Sequence, residues 1–263
     1  MRHSLKDLRV LISGASGGLG RALAVELGRR GGRLILLARS RSGLAETEAL
    51  ARQAGAAQTL LLRADVAKPA VRAQAVRAIR LLGGLDLLVN NAGVHAFAPV
   101  AELPEALLRE ALEVNLFGAL RLTQAALPYL RRSHGCVANI GSTLGYRAIP
   151  NAAAYCATKG ALARFSESLR DEEARHGVRV LHASPGVVLT GLRDNALRHG
   201  VDVAPQGQLP YPRSAQQTAA EICDALEQGR RELISAAWPV RFWAKVLAPW
   251  FGGLLDRRMR LED

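Results

Sequence analysis

Seven short, almost unbroken apolar runs, separated by longer amphipathic stretches, constrain this chain more than any other feature. The runs are RVLIS (9–13), RLILLA (33–38), TLLLRA (59–64), LDLLVN (85–90), CVANI (136–140), VRVLHA (178–183) and ELIS (232–235). Apolar side chains at nearly every position, rather than at alternate ones, mark strands buried on both faces. Amphipathic patterns over 18–31, 42–55, 69–82, 104–132, 152–176 and 214–228 predict helices between them. Strand–helix alternation builds βαβ units, whose right-handed crossovers give a doubly wound parallel sheet with helices on both faces. The predicted fold class is α/β, with about seven parallel strands. With 263 residues, no internal repeat and no low-complexity linker, residues 1–235 read as one domain.

Composition narrows the function classes. Hydrophobic residues at 49% supply a core, and charged residues at 22% are ordinary for a folded protein, so global disorder is excluded. The net charge of +12 comes mostly from scattered arginines, since Lys6, Lys68, Lys159 and Lys245 are the only lysines. No basic stripe is interleaved with aromatic residues, so nucleic acid is not an expected partner. Cys136, Cys156 and Cys223 are odd in number and fit neither a metal site nor a disulfide framework. A reducing, cytoplasmic setting and no metal are expected. The N-terminal apolar run is too short for a signal peptide, and no stretch of about 18 apolar residues reads as a membrane span.

The segment SGASGGLG (13–20) lies between the first predicted strand and the first predicted helix. Gly14, Gly18 and Gly20 permit a tight turn and bring backbone N–H groups and the positive end of a helix to a pyrophosphate. The placement makes this a candidate dinucleotide site of the Rossmann type. Arg39 and Arg41 follow the second strand, where an adenosine ribose lies in such folds. Arginine there pairs with a 2′-phosphate, which favours NADP(H) over NAD(H). Asp65 reads either as an acceptor for the adenine amino group, with Val66 packed on the ring, or as a helix N-cap before Pro69. Asn90 and Asn91 are turn formers or site residues, while small Ala92 and Gly93 admit a close backbone approach.

Tyr155 and Lys159 are four apart in a helical pattern and share a face. A nearby lysine cation favours the phenolate, so such a pair is suited to proton transfer near neutral pH. Cys156 beside them reads as a small buried hydrophobe rather than a redox switch. His95 reads either as a pocket-lining residue or as an ordinary core or surface histidine.

SGASGGLG, Asp65-Val66, NNAG (90–93), Asn115 in VNLFG, Ser142 in NIGS, YCATK (155–159) and PGVVLT (185–190) occur in one order. Together they resemble the short-chain dehydrogenase/reductase family over residues 8–235. The resemblance implies an oxidoreductase that interconverts a ketone or aldehyde and an alcohol by hydride transfer. It implies a catalytic set of Asn115, Ser142, Tyr155 and Lys159. Tyr155 is then the acid/base, Ser142 orients the reacting oxygen and Lys159 holds the nicotinamide ribose. Asn115 positions a water that links Lys159 to solvent. The implied cofactor contacts are Gly14, Ser16, Gly18, Leu19, Gly20, Arg39, Asp65, Val66, Asn91, Ala92 and Gly93. Tyr155, Lys159, Pro185, Gly186, Val188 and Thr190 complete them. Ser13 stands where the family more often has threonine. Gly17 stands where many NADP-preferring members carry a basic side chain, which leaves Arg39 carrying that preference. A homodimer or homotetramer through the helices at 104–132 and 152–176 is also implied. The competing reading is a cofactor-binding sensor without turnover, or a membrane-surface interaction protein.

Glycines and prolines crowd 191–213, which reads as a loop with room for one short helix, placed as a lid over a small carbonyl or alcohol substrate of apolar character. Residues 236–263 form an amphipathic helical extension carrying Trp238, Trp243 and Trp250, with Pro249 as a kink. Three readings stay open for it: packing on its own domain or a sister subunit, peripheral membrane contact through 238–260, or cover for the pocket.

Overall fold

A parallel strand covered on both faces has to be apolar on both, and the central strands Leu87–Asn90 and Cys136–Ile140 are buried at every position. The computed structural model describes residues 3–203, 209 and 211–236. Its main sheet holds β1 (Arg9–Ser13), β2 (Arg33–Ala38), β3 (Gln58–Arg63), β4 (Leu87–Asn90), β5 (Cys136–Ile140), β6 (Arg179–Pro185) and β7 (Glu232–Ser235). The order across the sheet is β7-β6-β5-β4-β1-β2-β3, and every pairing is parallel. The chain therefore winds outward in two directions from β1, and the point of reversal lies between β1 and β4.

Among the described residues seven α-helices flank the sheet: α1 (Gly18–Gly28), α2 (Arg41–Ala54), α3 (Val71–Leu81), α4 (Glu105–Leu112), α5 (Gly118–Ser133), α6 (Ala153–Glu173) and α7 (Ala215–Glu227). Alternate strand residues divide between two layers. Val10, Ile12, Leu34, Leu36 and Val89 pack with residues of α1, α2 and α7. Leu11, Ile35, Leu37, Leu88 and Val137 pack with residues of α3, α5 and α6. The helix ends carry their own signals. Ser40 caps α2 by accepting from the Gly43 N–H at 3.1 Å. Ser214 and Gln217 form a reciprocal capping box at the start of α7.

The single helix predicted over 104–132 is divided. A wide π turn at Glu113–Phe117 separates α4 from α5. The Asn115 side chain is drawn to the backbone of Val94, and the extra residue in the turn accommodates that reach. Among the described residues of 191–213 there is no helix. Leu197–Arg198 instead runs parallel to Ala96–Phe97, and Arg213–Ser214 runs parallel to Val188–Leu189. These short ladders anchor the segment at both ends. Residues 204–208, 210 and 237–263 lie outside the described residues, and with them the predicted C-terminal extension. No helix among the described residues is long and apolar enough to cross a membrane.

Candidate active site

The carboxyl ends of β1, β4, β5 and β6 deliver the predicted segments to one edge of the sheet, where open α/β folds bind ligands. Gly14 there has φ +67°, a conformation that suits glycine, and a Cβ on it would lie 2.9 Å from the Ala92 Cα. A Cβ on Gly20 would lie 2.2 Å from the Gly14 carbonyl oxygen, so only glycine lets α1 start this close to the loop. Gly17 faces open space, no side chain caps α1, and its first turn holds no acid. An open helix N-terminus of this kind fits the pyrophosphate of a dinucleotide. Ser16 and Leu19 lie in the same turn, with Leu19 half-buried against the core.

Ser13 joins the loop to the end of β4. Its Oγ accepts from the Asn91 N–H at 3.0 Å and the Ala92 N–H at 3.1 Å, and donates to the Val89 carbonyl at 3.3 Å. The Asn91 amide returns a bond to the Ser13 carbonyl at 3.0 Å. Thr190 packs against the same loop, since a Cβ on Gly18 would lie 3.0 Å from the Thr190 Cβ. Arg39 is exposed just beyond β2, and Arg63 Nε donates to its carbonyl at 3.3 Å. The Asp65 carboxylate accepts from the Ala67 N–H at 3.0 Å, so it stabilises its own turn. Val66 is buried against Gly118. Pro185 ends β6, Gly186 donates to the Ser235 carbonyl at 2.9 Å, and Val188 is buried in the core layer of α1, α2 and α7.

Tyr155 and Lys159 both lie on the buried face of α6, at 3% and 4% exposure. The Ser142 hydroxyl, just past the end of β5, acts on that of Tyr155 and favours its phenolate. Ser142 also accepts from the Leu144 N–H at 3.1 Å, so its site and turn-forming roles coexist. The Lys159 ammonium lies 5.7 Å from the Tyr155 ring centroid and donates to the Ile140 carbonyl at 2.8 Å. Burial lowers its pKa to about 8. Burial dominates at Tyr155 as well and pushes the phenol above its ordinary range, with Ser142 opposing. Burial thus outweighs any lowering by Lys159, whose ammonium is turned to the Ile140 carbonyl.

Asn115 is fully engaged. Its Oδ1 accepts from the Val94 N–H at 2.8 Å, and its Nδ2 donates to the Val94 carbonyl at 3.0 Å and Thr158 Oγ1 at 2.9 Å. A Cβ on Gly93 would lie 3.2 Å from Asn115 Oδ1 and 3.6 Å from Lys159 Nζ, so Gly93 admits both. Cys156 packs with Phe97 and Ala152, as a small hydrophobe would. His95 meets the Tyr155 ring at 4.3 Å between centroids.

Sequence reasoning missed a buried polar chain behind these residues. Thr123, Asn90, Asn139, Ser166 and His182 are linked in series by hydrogen bonds of 2.8–3.1 Å. Asn90 is therefore a buried bridge between helix and strand rather than a turn former. Burial, reinforced by the Lys159 charge, lowers the His182 pKa to about 4. The signal was present in CVANI (136–140), where Asn139 interrupts an otherwise apolar run. Thr158 and Gly118 sit inside motifs already noted, but their contacts with Asn115 and Val66 come from elements distant in sequence.

Residues 9–199 match the family model described as short chain dehydrogenase. The chain is 33% identical over 279 residues to dehydrogenase/reductase SDR family member 7B of Bos taurus, covering 100% of this chain and 84% of the relative. It is 31% identical over 250 residues to 11-beta-hydroxysteroid dehydrogenase A of Sesamum indicum, covering 91% and 72% of the two chains. Its structure is similar to that of an alcohol dehydrogenase from the archaeon Thermococcus sibiricus, with a TM-score of 0.78 and 28% identity over 88% of this chain and 97% of the other. The chain belongs to the short-chain dehydrogenase/reductase family, enzymes that act on alcohol and carbonyl groups with a nicotinamide cofactor.

Proposed function

We propose that the protein is an NADP(H)-dependent reductase or dehydrogenase of a small ketone, aldehyde or secondary alcohol, with Tyr155 as its acid/base. The carrying observation is the burial of Tyr155 and Lys159 side by side, the ammonium 5.7 Å from the ring centroid, with Ser142 acting on the Tyr155 hydroxyl. Hydride donation or acceptance is the chemistry the nicotinamide supplies when bound. Held protonated by burial, Tyr155 is in the form that a carbonyl reduction consumes. Ser142 orients the carbonyl oxygen toward it, and the Lys159 cation stabilises the phenolate left by proton donation. Asn115 keeps Gly93-Val94 tied to α6 through Thr158, which holds the floor of the site in place. The open turn at Gly14–Gly20 would hold the pyrophosphate, with Asn91, Ala92, Gly93 and Thr190 lining the approach.

Exposed Arg39, with Arg63 beside it, supports the NADP(H) preference through pairing with a 2′-phosphate. The Thermococcus sibiricus enzyme was solved with 5-hydroxy-NADP, which accords with this reading. The segment 191–213, anchored by its two short ladders, is the proposed substrate lid. A panel of ketones, aldehydes and secondary alcohols with both cofactors tests the proposal. Tyr155→Phe is expected to lower kcat by about 10²–10⁴-fold while the fold and cofactor binding persist. Unchanged turnover in that variant overturns the assignment.

A further inference from the structure

Arg121 lies in the first turn of α5 and reaches two other segments. Its Nη1 donates to the Ala67 carbonyl at 3.1 Å and to the Val66 carbonyl at 3.4 Å. Its Nη2 lies 2.8 Å from Glu113 Oε2, and its guanidinium stands over the Phe117 ring, 5.7 Å from the centroid. Glu113 and Phe117 are the first and last residues of the wide π turn that holds Asn115. One side chain thus joins the turn after β3 to the turn between α4 and α5.

On the cofactor reading above, these two turns serve opposite ends of the dinucleotide. Asp65–Ala67 would receive the adenine, and the Asp65 carboxylate and the packing of Val66 on Gly118 already brace that turn. Arg121 braces it from the other side, since both of its acceptors there are backbone carbonyls. At the catalytic end, Asn115 accepts from the Val94 N–H at 2.8 Å and donates to Thr158 Oγ1 at 2.9 Å, on the helix of Tyr155 and Lys159. A planar guanidinium with five donors can hold carbonyls and a carboxylate in one fixed arrangement. The Arg121 side chain is 19% exposed, so it is largely shielded from competing water. A π turn interrupts the regular helical ladder, and such turns recur at functional sites.

We propose that Arg121 is a positioning residue that couples the adenine end of the site to the catalytic end. Adenosine bound at Asp65–Ala67 holds that turn still, and Arg121 passes the restraint to Glu113. The Asn115 turn is thereby kept in register with Val94 and Thr158. Binding energy from a part of the cofactor that does not react then helps to set the reacting end. The route is a contiguous set of hydrogen bonds and one ion pair, which is the physical form such coupling takes. The inference rests on the cofactor site proposed above.

Hydrogen exchange at the Val94 amide, which reports the bond to Asn115, tests it with adenosine 2′,5′-bisphosphate as the ligand. This fragment carries the adenine end and no nicotinamide. In the wild type, a saturating concentration is expected to slow exchange at Val94 by about fivefold. In Arg121→Met and in Glu113→Ala, with saturation checked by calorimetry, the fragment should leave that exchange unchanged. Glu113→Ala keeps the donors to Val66 and Ala67, so an arginine that only braced the adenine turn would leave the response intact there. Glu113 is half-exposed, and this variant decides the question even where Arg121→Met fails to fold. No slowing in the wild type, or slowing that persists in either variant, overturns the proposal. Binding of NADPH without binding of the fragment overturns the coupling alone. If neither binds, the cofactor site itself fails, and the coupling with it.

Discussion

Lys159 is the residue whose charge state most directly bears on the proposed chemistry. Burial takes its pKa from 10.5 to about 8, so it is largely cationic at pH 7 and largely neutral one to two pH units above the shifted value. The cation favours the phenolate that forms when Tyr155 gives up its proton. Carbonyl reduction is therefore expected to decline as pH rises through about 8. Initial rates across that range, at saturating cofactor, check the sign. Lys159→Met should be slow throughout and lack this inflection. The pairing of Tyr155 with Lys159 was legible from their four-residue spacing. The direction of the ammonium toward Ile140 was not, because that carbonyl belongs to β5, nineteen residues away.

At the scale of elements, α5 and α6 are joined by an ion pair. Glu173, 3% exposed, accepts from Arg131 Nε at 2.8 Å and Nη2 at 2.6 Å. The Arg131 bond holds the Glu173 carboxyl below its ordinary range, against the opposing effect of burial. A carboxyl whose folded pKa lies below its unfolded one stabilises the fold above the unfolded value, and this contribution is lost as pH falls through the folded one. Arg131→Ala is expected to lower stability at pH 7 by about 1–3 kcal/mol, with water reaching the half-exposed arginine side limiting the cost. Urea denaturation of both proteins at pH 7 and in acid checks this. The difference should shrink once Glu173 is protonated. The helices themselves were readable from their periodicity, but the break between α4 and α5 was not. It depends on Asn115 reaching Val94, a contact between two separate segments.

At the scale of the whole molecule, the proposed cofactor site straddles the reversal between β1 and β4, so a dinucleotide bound there would tie both halves of the sheet to one ligand. A ligand that binds only the folded state stabilises it by about 2.7 kcal/mol at a hundred times its Kd. NADPH is expected to raise Tm more than NADH at equal concentration, and Arg39→Asp is expected to reduce or reverse that order. Thermal melts of both proteins with each cofactor measure it. Equal shifts in the wild type would show that Arg39 does not select the 2′-phosphate.

The sequence by itself determined the α/β class, the seven strands of the sheet and most of the helices. Burial on both faces leaves a periodic record along the chain, and such a record is local. It also determined which residue types stand at the ends of the strands, since glycine loops and the Tyr155–Lys159 spacing are local too. Tertiary structure decided what those residues touch. Ser13 spans from β1 to Asn91 and Ala92, and Asn115 from the π turn to Val94 and Thr158. Burial, not the neighbouring lysine, sets the state of Tyr155. Desolvation and non-local hydrogen bonds depend on which distant segments close around a group, and no window of the sequence contains that information.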